Sequence, residues 1–193
     1  MDTTFLPTLS HRLWPQADAL QRDLILIAGG SLLVAALAQV RIPLPFTPVP
    51  LTGQTLGVLL VGAALGSRRG AASLGLYLVV GLLGLPVFTG WGSGLAHLAG
   101  PTGGYLLGFI LAAFGVGWLC ERKLDRRWTT AIIPFLAGEI LIYLCGLSWL
   151  AVFVGTERVL AAGLWPFLPG DLLKMLLAAL AMPVAWRALA IRE

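Results

Sequence analysis

The chain has 193 residues, of which 58% are hydrophobic and 11% charged, with a formal net charge of +4. A soluble domain carries about a quarter charged residues, and the mean hydropathy of +0.89 departs from that norm in the same direction. These figures exclude a disordered chain and a nucleic-acid-binding domain, and the length allows about six membrane crossings at roughly 20 residues each, with no separate soluble domain.

Residues 1–23 are polar and read as a cytoplasmic lead. The charge-free stretch 24–40 is the first predicted span. Arg22 ahead of an apolar run, with Ala36-Leu37-Ala38 after it, mimics a cleavable signal. The topology needs this segment, so it is read as retained. Pro43, Pro45, Pro48 and Pro50 cannot continue a regular helix, and they predict an extended or re-entrant loop over 41–52. A second span follows at 53–66, then a tight charged turn at 67–70. Between Gly70 and Cys120 there is no Asp, Glu, Lys or Arg. Leu85-Pro86 and the glycines between 90 and 104 break this stretch into spans at 71–85 and 104–120. A charged loop leads to a fifth span, 129–154, with a kink expected at Pro134. A loop at 155–170 containing a short amphipathic piece precedes the sixth span, 171–187.

If the N-terminus is inside, the inner segments hold Arg12, Arg22, Arg68, Arg69, Arg122, Lys123, Arg126, Arg127, Arg187 and Arg192, and the outer loops only Arg41 and Arg158. That asymmetry is the positive-inside rule. It predicts an all-α integral protein of the cell membrane, six spans in one domain, both termini cytoplasmic. The net charge is then a product of topology, and no nucleic acid is needed to explain it. Glycines recurring every four or five residues, as at Gly53, Gly57, Gly62, Gly66 and Gly70 or at Gly100, Gly104 and Gly108, let helix backbones approach closely. They serve either packing within the chain or a docking face.

The lysines are Lys123, after Arg122, and Lys174, after Leu173, so no Gly-Lys-Ser/Thr phosphate loop exists. Two histidines, His11 and His97, make a histidine metal site implausible, and two cysteines, Cys120 and Cys145, suit neither a zinc site nor a disulfide scaffold. Gly92-Ser93-Gly94 lacks the preceding glycine of an intramembrane serine protease. No cofactor or metal is expected. Ionisable groups inside a membrane are costly and functional by default, and three stand out: Glu139, Asp171 and Lys174. Asp171 and Lys174 are i and i+3, neighbours on one helix face. They read either as a helix cap with a local ion pair or as a polar clamp on a small solute. Glu139 reads as a structural hydrogen bond to Tyr143, one turn on, or to another helix, or as part of the same cavity. Thr52, Gln54, Thr55, Thr89, Ser93, Thr102 and Tyr105 supply neutral hydrogen-bonding groups to a lid rich in glycine and proline.

Several stretches resemble the BioY family, in order from about residue 42 to 174. They are Pro48-Val49-Pro50-Leu51-Thr52-Gly53-Gln54-Thr55, Gly66-Ser67-Arg68-Arg69-Gly70, Gly84-Leu85-Pro86-Val87-Phe88, Gly100-Pro101-Thr102-Gly103-Gly104-Tyr105 and Pro166-Phe167-Leu168-Pro169-Gly170-Asp171-Leu172-Leu173-Lys174. The resemblance implies a substrate-binding S component of an energy-coupling-factor (ECF) biotin transporter. It implies that component's six-helix fold in the lipid bilayer, biotin bound near the outer face, and ATPase subunits plus a transmembrane coupling protein as partners. By the same resemblance Asp171 and Lys174 contact the ligand: Asp171 takes ureido N–H groups, and Lys174 the ureido carbonyl or the valerate carboxylate. Thr102, Gly103 and Tyr105 close a wall, with Gln54 and Tyr143 also lining the site. The small-residue docking motif of the first helix is carried by Ala28, Ser31 and Ala35, although Leu32 interrupts the alanine repeat. Two alternatives stay open: an S component for another small vitamin, and a structural membrane subunit without a ligand.

Overall fold

The computed structural model describes residues 19–190. Residues 1–18 of the predicted lead, with Arg12 and His11, and Arg192 lie outside the described residues.

Eight α-helices occur among the described residues: α1 Ala19–Gln39, α2 Gln54–Leu65, α3 Ser67–Leu82, α4 Gly94–Leu98, α5 Gly103–Cys120, α6 Ile132–Val154, α7 Val159–Gly163 and α8 Leu168–Ala190. Four of these, α1, α5, α6 and α8, are long and apolar enough to cross a membrane by length and composition, and α2 is a shorter apolar helix. The proline loop forms a minimal antiparallel hairpin, in which Arg41 pairs with Thr52 and Ile42 with Leu51. The prolines between these strands explain its brevity, because each removes an N–H the ladder would need.

Helix α5 is the centre of the bundle, packed against α2, α3 and α6. Glycines make this possible. A Cβ on Gly62 of α2 would lie 2.7 Å from the carbonyl oxygen of Ala113 on α5. One on Gly108 of α5 would lie 3.1 Å from the Cβ of Cys145 on α6. The glycine spacing therefore serves packing within the chain. Leucines and isoleucines of α6 and α8 face outward instead, among them Leu144, Ile140, Leu172 and Leu180, as lipid-facing positions do.

One end of the bundle gathers the basic loops. The carboxylate of Glu121, after α5, accepts the backbone N–H of Ser67 at 2.8 Å and its hydroxyl at 2.9 Å. This ties the α5–α6 loop to the α2–α3 turn. Arg69 pairs with Asp23 near the start of α1 at 2.8 Å. Near the end of α8, Trp186 donates its indole N–H to Asp125 at 2.6 Å.

Several expected boundaries shift for local reasons. Helix α1 already includes 19–23, part of the expected lead. The charged segment at 67–70 is the first turn of α3, and the reversal is made by Gly66 at φ 84°, a conformation that costs glycine little. Helix α3 ends at Leu82, not 85, with Gly84 at φ 100° just beyond. The glycine-rich loop contains the unexpected α4. Helix α6 starts at Ile132, so Pro134 stands in its first turn, where a missing N–H breaks no helical bond and no kink is called for. Helix α8 starts at Leu168, taking Pro169 and Gly170 into its first turn. The Asp171 amide already donates to the Phe167 carbonyl at 2.9 Å, so Asp171 is not the helix cap.

Candidate functional site

The ion pair on α8 points inward. Asp171 is 4% exposed. Its Oδ1 accepts Lys174 Nζ at 2.9 Å and the Thr55 hydroxyl at 3.2 Å. Lys174 also lies 2.9 Å from the Thr55 oxygen. Tyr143 of α6 donates to Oδ2 of Asp171. Three helices, α2, α6 and α8, thus meet on one carboxylate. A buried ion pair is retained only when hydrogen bonds complete it, and here two hydroxyls do so.

Asp171, Tyr143 and Glu139 share a cavity of about 570 Å³ between α6 and α8, walled otherwise by Leu136, Ile140, Leu144, Leu147, Ser148, Leu164, Leu168, Leu172 and Met175. Ile140, Leu144 and Leu172 on its rim are half or more exposed, so the cavity opens sideways out of the bundle. It has the composition of a small-molecule site, apolar walls with few convergent polar groups. Glu139 does not bond Tyr143 as one sequence reading expected, because the Tyr143 hydroxyl is committed to Asp171.

Gln54, Thr102 and Tyr105 line a second, tighter cavity of about 50 Å³ with Thr52, Thr89 and His97. Gln54 donates to the Tyr77 hydroxyl at 2.9 Å and accepts from Thr89 at 2.7 Å and from Thr52 at 3.1 Å. Tyr105 donates to the Gly163 carbonyl of α7 at 2.9 Å. Its ring meets that of Tyr143 edge-on, with centroids 6.5 Å apart, which links the two cavities. Gly103 opens α5 against the carbonyl of Leu98, and Trp149 donates to the Gly100 carbonyl at 2.9 Å. That contact fastens the glycine loop to α6. His97 stacks on Phe88, and burial holds its imidazole below the usual range.

The predicted site residues therefore divide. Asp171, Lys174 and Tyr143 form one cluster, and Gln54, Thr102 and Tyr105 the other; Gly103 supplies close approach. The sequence reading missed Tyr77 and Gln39. Gln39 ends α1 and donates to the carbonyl of Phe88 at 3.1 Å while accepting the Trp91 amide at 3.1 Å. A lone amide closing an apolar helix was the available signal. On α1 the expected stripe of Ala28, Ser31 and Ala35 is split. Ala28 is exposed, but Ser31 is buried and Ala35 half-buried, because helical spacing puts them on the face of Gly30, Val34 and Ala38 that packs on α3. The exposed line is Ala28, Leu32 and Ala36.

These features define a multi-pass helical membrane protein with a buried ion pair beside a solute-sized, mostly apolar cavity. The BioY family model matches residues 9–191, and the chain belongs to the BioY family. It is 38% identical over 168 residues to "Biotin transporter BioY" of Rhizobium etli, covering 82% of this chain and 90% of that one. A Thermotoga maritima protein of the same name is 38% identical over 80% of this chain and 91% of its own. The fold is similar to a solved structure, the S-component for biotin from an ECF-type ABC transporter, with a TM-score of 0.79 and 29% identity over 89% of this chain and 95% of that one. These relatives are transporters or transporter components, not enzymes.

Proposed function

We propose that this chain captures biotin at the cell membrane as the substrate-specific subunit of an ATP-driven ECF importer. The observation that carries the reading is the Asp171–Lys174 pair, sunk into the bundle and braced by Thr55 and Tyr143 beside a cavity of about 570 Å³. A carboxylate accepts N–H groups and an ammonium donates to oxygen. A ureido ring offers both complements, two N–H donors and one carbonyl acceptor. Asp171 takes the N–H side, and Lys174 takes the carbonyl or the valerate carboxylate. Thr102, on the glycine loop, and Tyr105, on α5, close the wall beside Gln54.

Six helices cross the bilayer in this reading, with both termini cytoplasmic. Supporting it, the α2–α3 turn and the α5–α6 loop lie at one end, and between them carry Arg68, Arg69, Arg122, Lys123, Arg126 and Arg127. Basic loops stay inside. The ion pair then lies toward the outer face. The chain has no phosphate-binding loop, so uphill uptake requires ATPase subunits and a transmembrane coupling protein. Ala28 and Ala36, on the exposed line of α1, offer the latter a small-residue contact.

The test is calorimetric titration of the purified chain in nanodiscs with biotin, thiamine and riboflavin. Saturable binding of biotin alone is expected, lost in Asp171→Asn with the helical content unchanged. No biotin binding by the wild type, or equal binding by the variant, overturns the reading.

A further inference from the structure

Glu139 is an ionisable group within the candidate span α6 that the clamp does not use. It lies on α6, one turn before Tyr143, and is 3% exposed. No donor among the described residues reaches either of its carboxyl oxygens. It lines the same cavity as Asp171 and Tyr143, and the charged groups acting on it are Asp171 and Lys174. A buried polar group without a partner is rare in folded chains and calls for an explanation. In hydrocarbon it is costlier still.

The oxygens of Asp171 are in a different condition. Between them they already accept from Lys174, Thr55 and Tyr143, which leaves about one acceptor site of the four a carboxylate offers. A cyclic urea presents two N–H groups on opposite edges. Asp171 alone has capacity for one.

We infer that Glu139 is a second ligand-contact residue, accepting the ureido N–H that Asp171 does not take, so that the ring is held between α6 and α8. This rests on the biotin reading above and adds a specificity-determining residue to it. A carboxyl oxygen accepts an N–H whether the group is ionised or protonated, so the assignment holds in either state. It also gives the orphaned carboxyl a role: the ligand supplies the donor that the fold withholds. The class of ligand selected is a cyclic urea with both nitrogens unsubstituted.

The test uses the full chain in nanodiscs, titrated with biotin and with two analogues methylated at one or the other ureido nitrogen. Wild type should bind biotin and lose at least tenfold in affinity on either methylation. Glu139→Leu should bind biotin at least tenfold more weakly, whereas Glu139→Gln, whose amide oxygen still accepts an N–H, should lose less. In Glu139→Leu, methylation of one nitrogen should carry little further penalty, because its acceptor is already gone. Neither variant should melt lower than wild type without ligand, since neither removes an internal partner. Wild-type affinity in Glu139→Leu overturns the inference, as do unchanged penalties for both methylations in that variant or a lowered melting temperature. If the wild type fails to bind biotin at all, it is the underlying functional reading that falls.

Discussion

The hydroxyl of Tyr143 donates to Oδ2 of Asp171, joining α6 to α8 at the apolar cavity between them. Among the described residues it is the only side-chain donor to Oδ2, whereas Oδ1 is shared by Thr55 and Lys174. Tyr143 therefore sets the angle of the carboxylate plane as well as helping to solvate it.

Removing that hydroxyl in Tyr143→Phe should destabilise the fold by about 2 kcal/mol, the range for a hydrogen bond to a charged group. Biotin binding should weaken severalfold, because Asp171 keeps its other two partners but not its orientation. Thermal melting and titration of the same sample check both parts. An unchanged melting temperature would mean that water replaces the hydroxyl.

Lys174→Met leaves Asp171 buried without its cation. Breaking a buried pair from one side costs about 3–5 kcal/mol, whereas removing both charges is far milder. The double variant Asp171→Asn/Lys174→Met should therefore recover more than half of the stability that Lys174→Met loses. Denaturation of the three variants completes the cycle, and strict additivity would show that the two side chains are energetically independent.

The polar anchors were legible in the sequence because charge is scarce in it. Asp171 and Lys174 stand out in an apolar helix, and their spacing fixes a shared face whatever the helix boundary. The partners were less legible. Thr55 and Tyr143 are ordinary residues whose role depends on how α2 and α6 turn toward α8, which no local pattern encodes. Helix ends were misplaced where glycine and proline carry two meanings. Proline breaks a helix interior but fits a first turn, as Pro134 and Pro169 do. On α1, Ser31 is buried and Ala35 half-buried within the chain, because small side chains suit an internal face as well as an external one. Glycine spacing showed that backbones meet, but not which ones.

Gly117 gives that last point a number. A Cβ there would run into the backbone of Gly66 and Ser67, where the turn is held by the positive φ of Gly66 and by the bond from Ser67 to Glu121. Backbone pinned at both ends cannot yield, so Gly117→Ala should destabilise by about 1–3 kcal/mol through overpacking. Gly75 of α3 has nothing within 4 Å of its added Cβ. There Gly75→Ala should be neutral or stabilise by up to about 1 kcal/mol, the difference in helix propensity. Paired melts of the two variants test the contrast, and equal losses would refute it.

Asp125 makes stability depend on pH at the basic end of the molecule. It lies in the loop between α5 and α6, fully buried, with Trp186 donating to Oδ2 and no hydrogen-bond partner for Oδ1 among the described residues. Burial pushes its carboxyl above the ordinary range, opposed more weakly by the Trp186 bond, a backbone hydrogen bond and Arg126. The folded state therefore binds this proton more tightly than the unfolded chain does. Stability from Asp125 is fully present below the unfolded value of about 4 and is lost as pH rises through the folded value. Asp125→Asn keeps an acceptor for the Trp186 indole and removes the titration. Melting temperatures measured between pH 4 and pH 8 should fall further with rising pH in the wild type than in Asp125→Asn. The gap between the two curves should widen until the carboxyl is ionised and then level off, and parallel curves throughout would mean that the group titrates alike in both states.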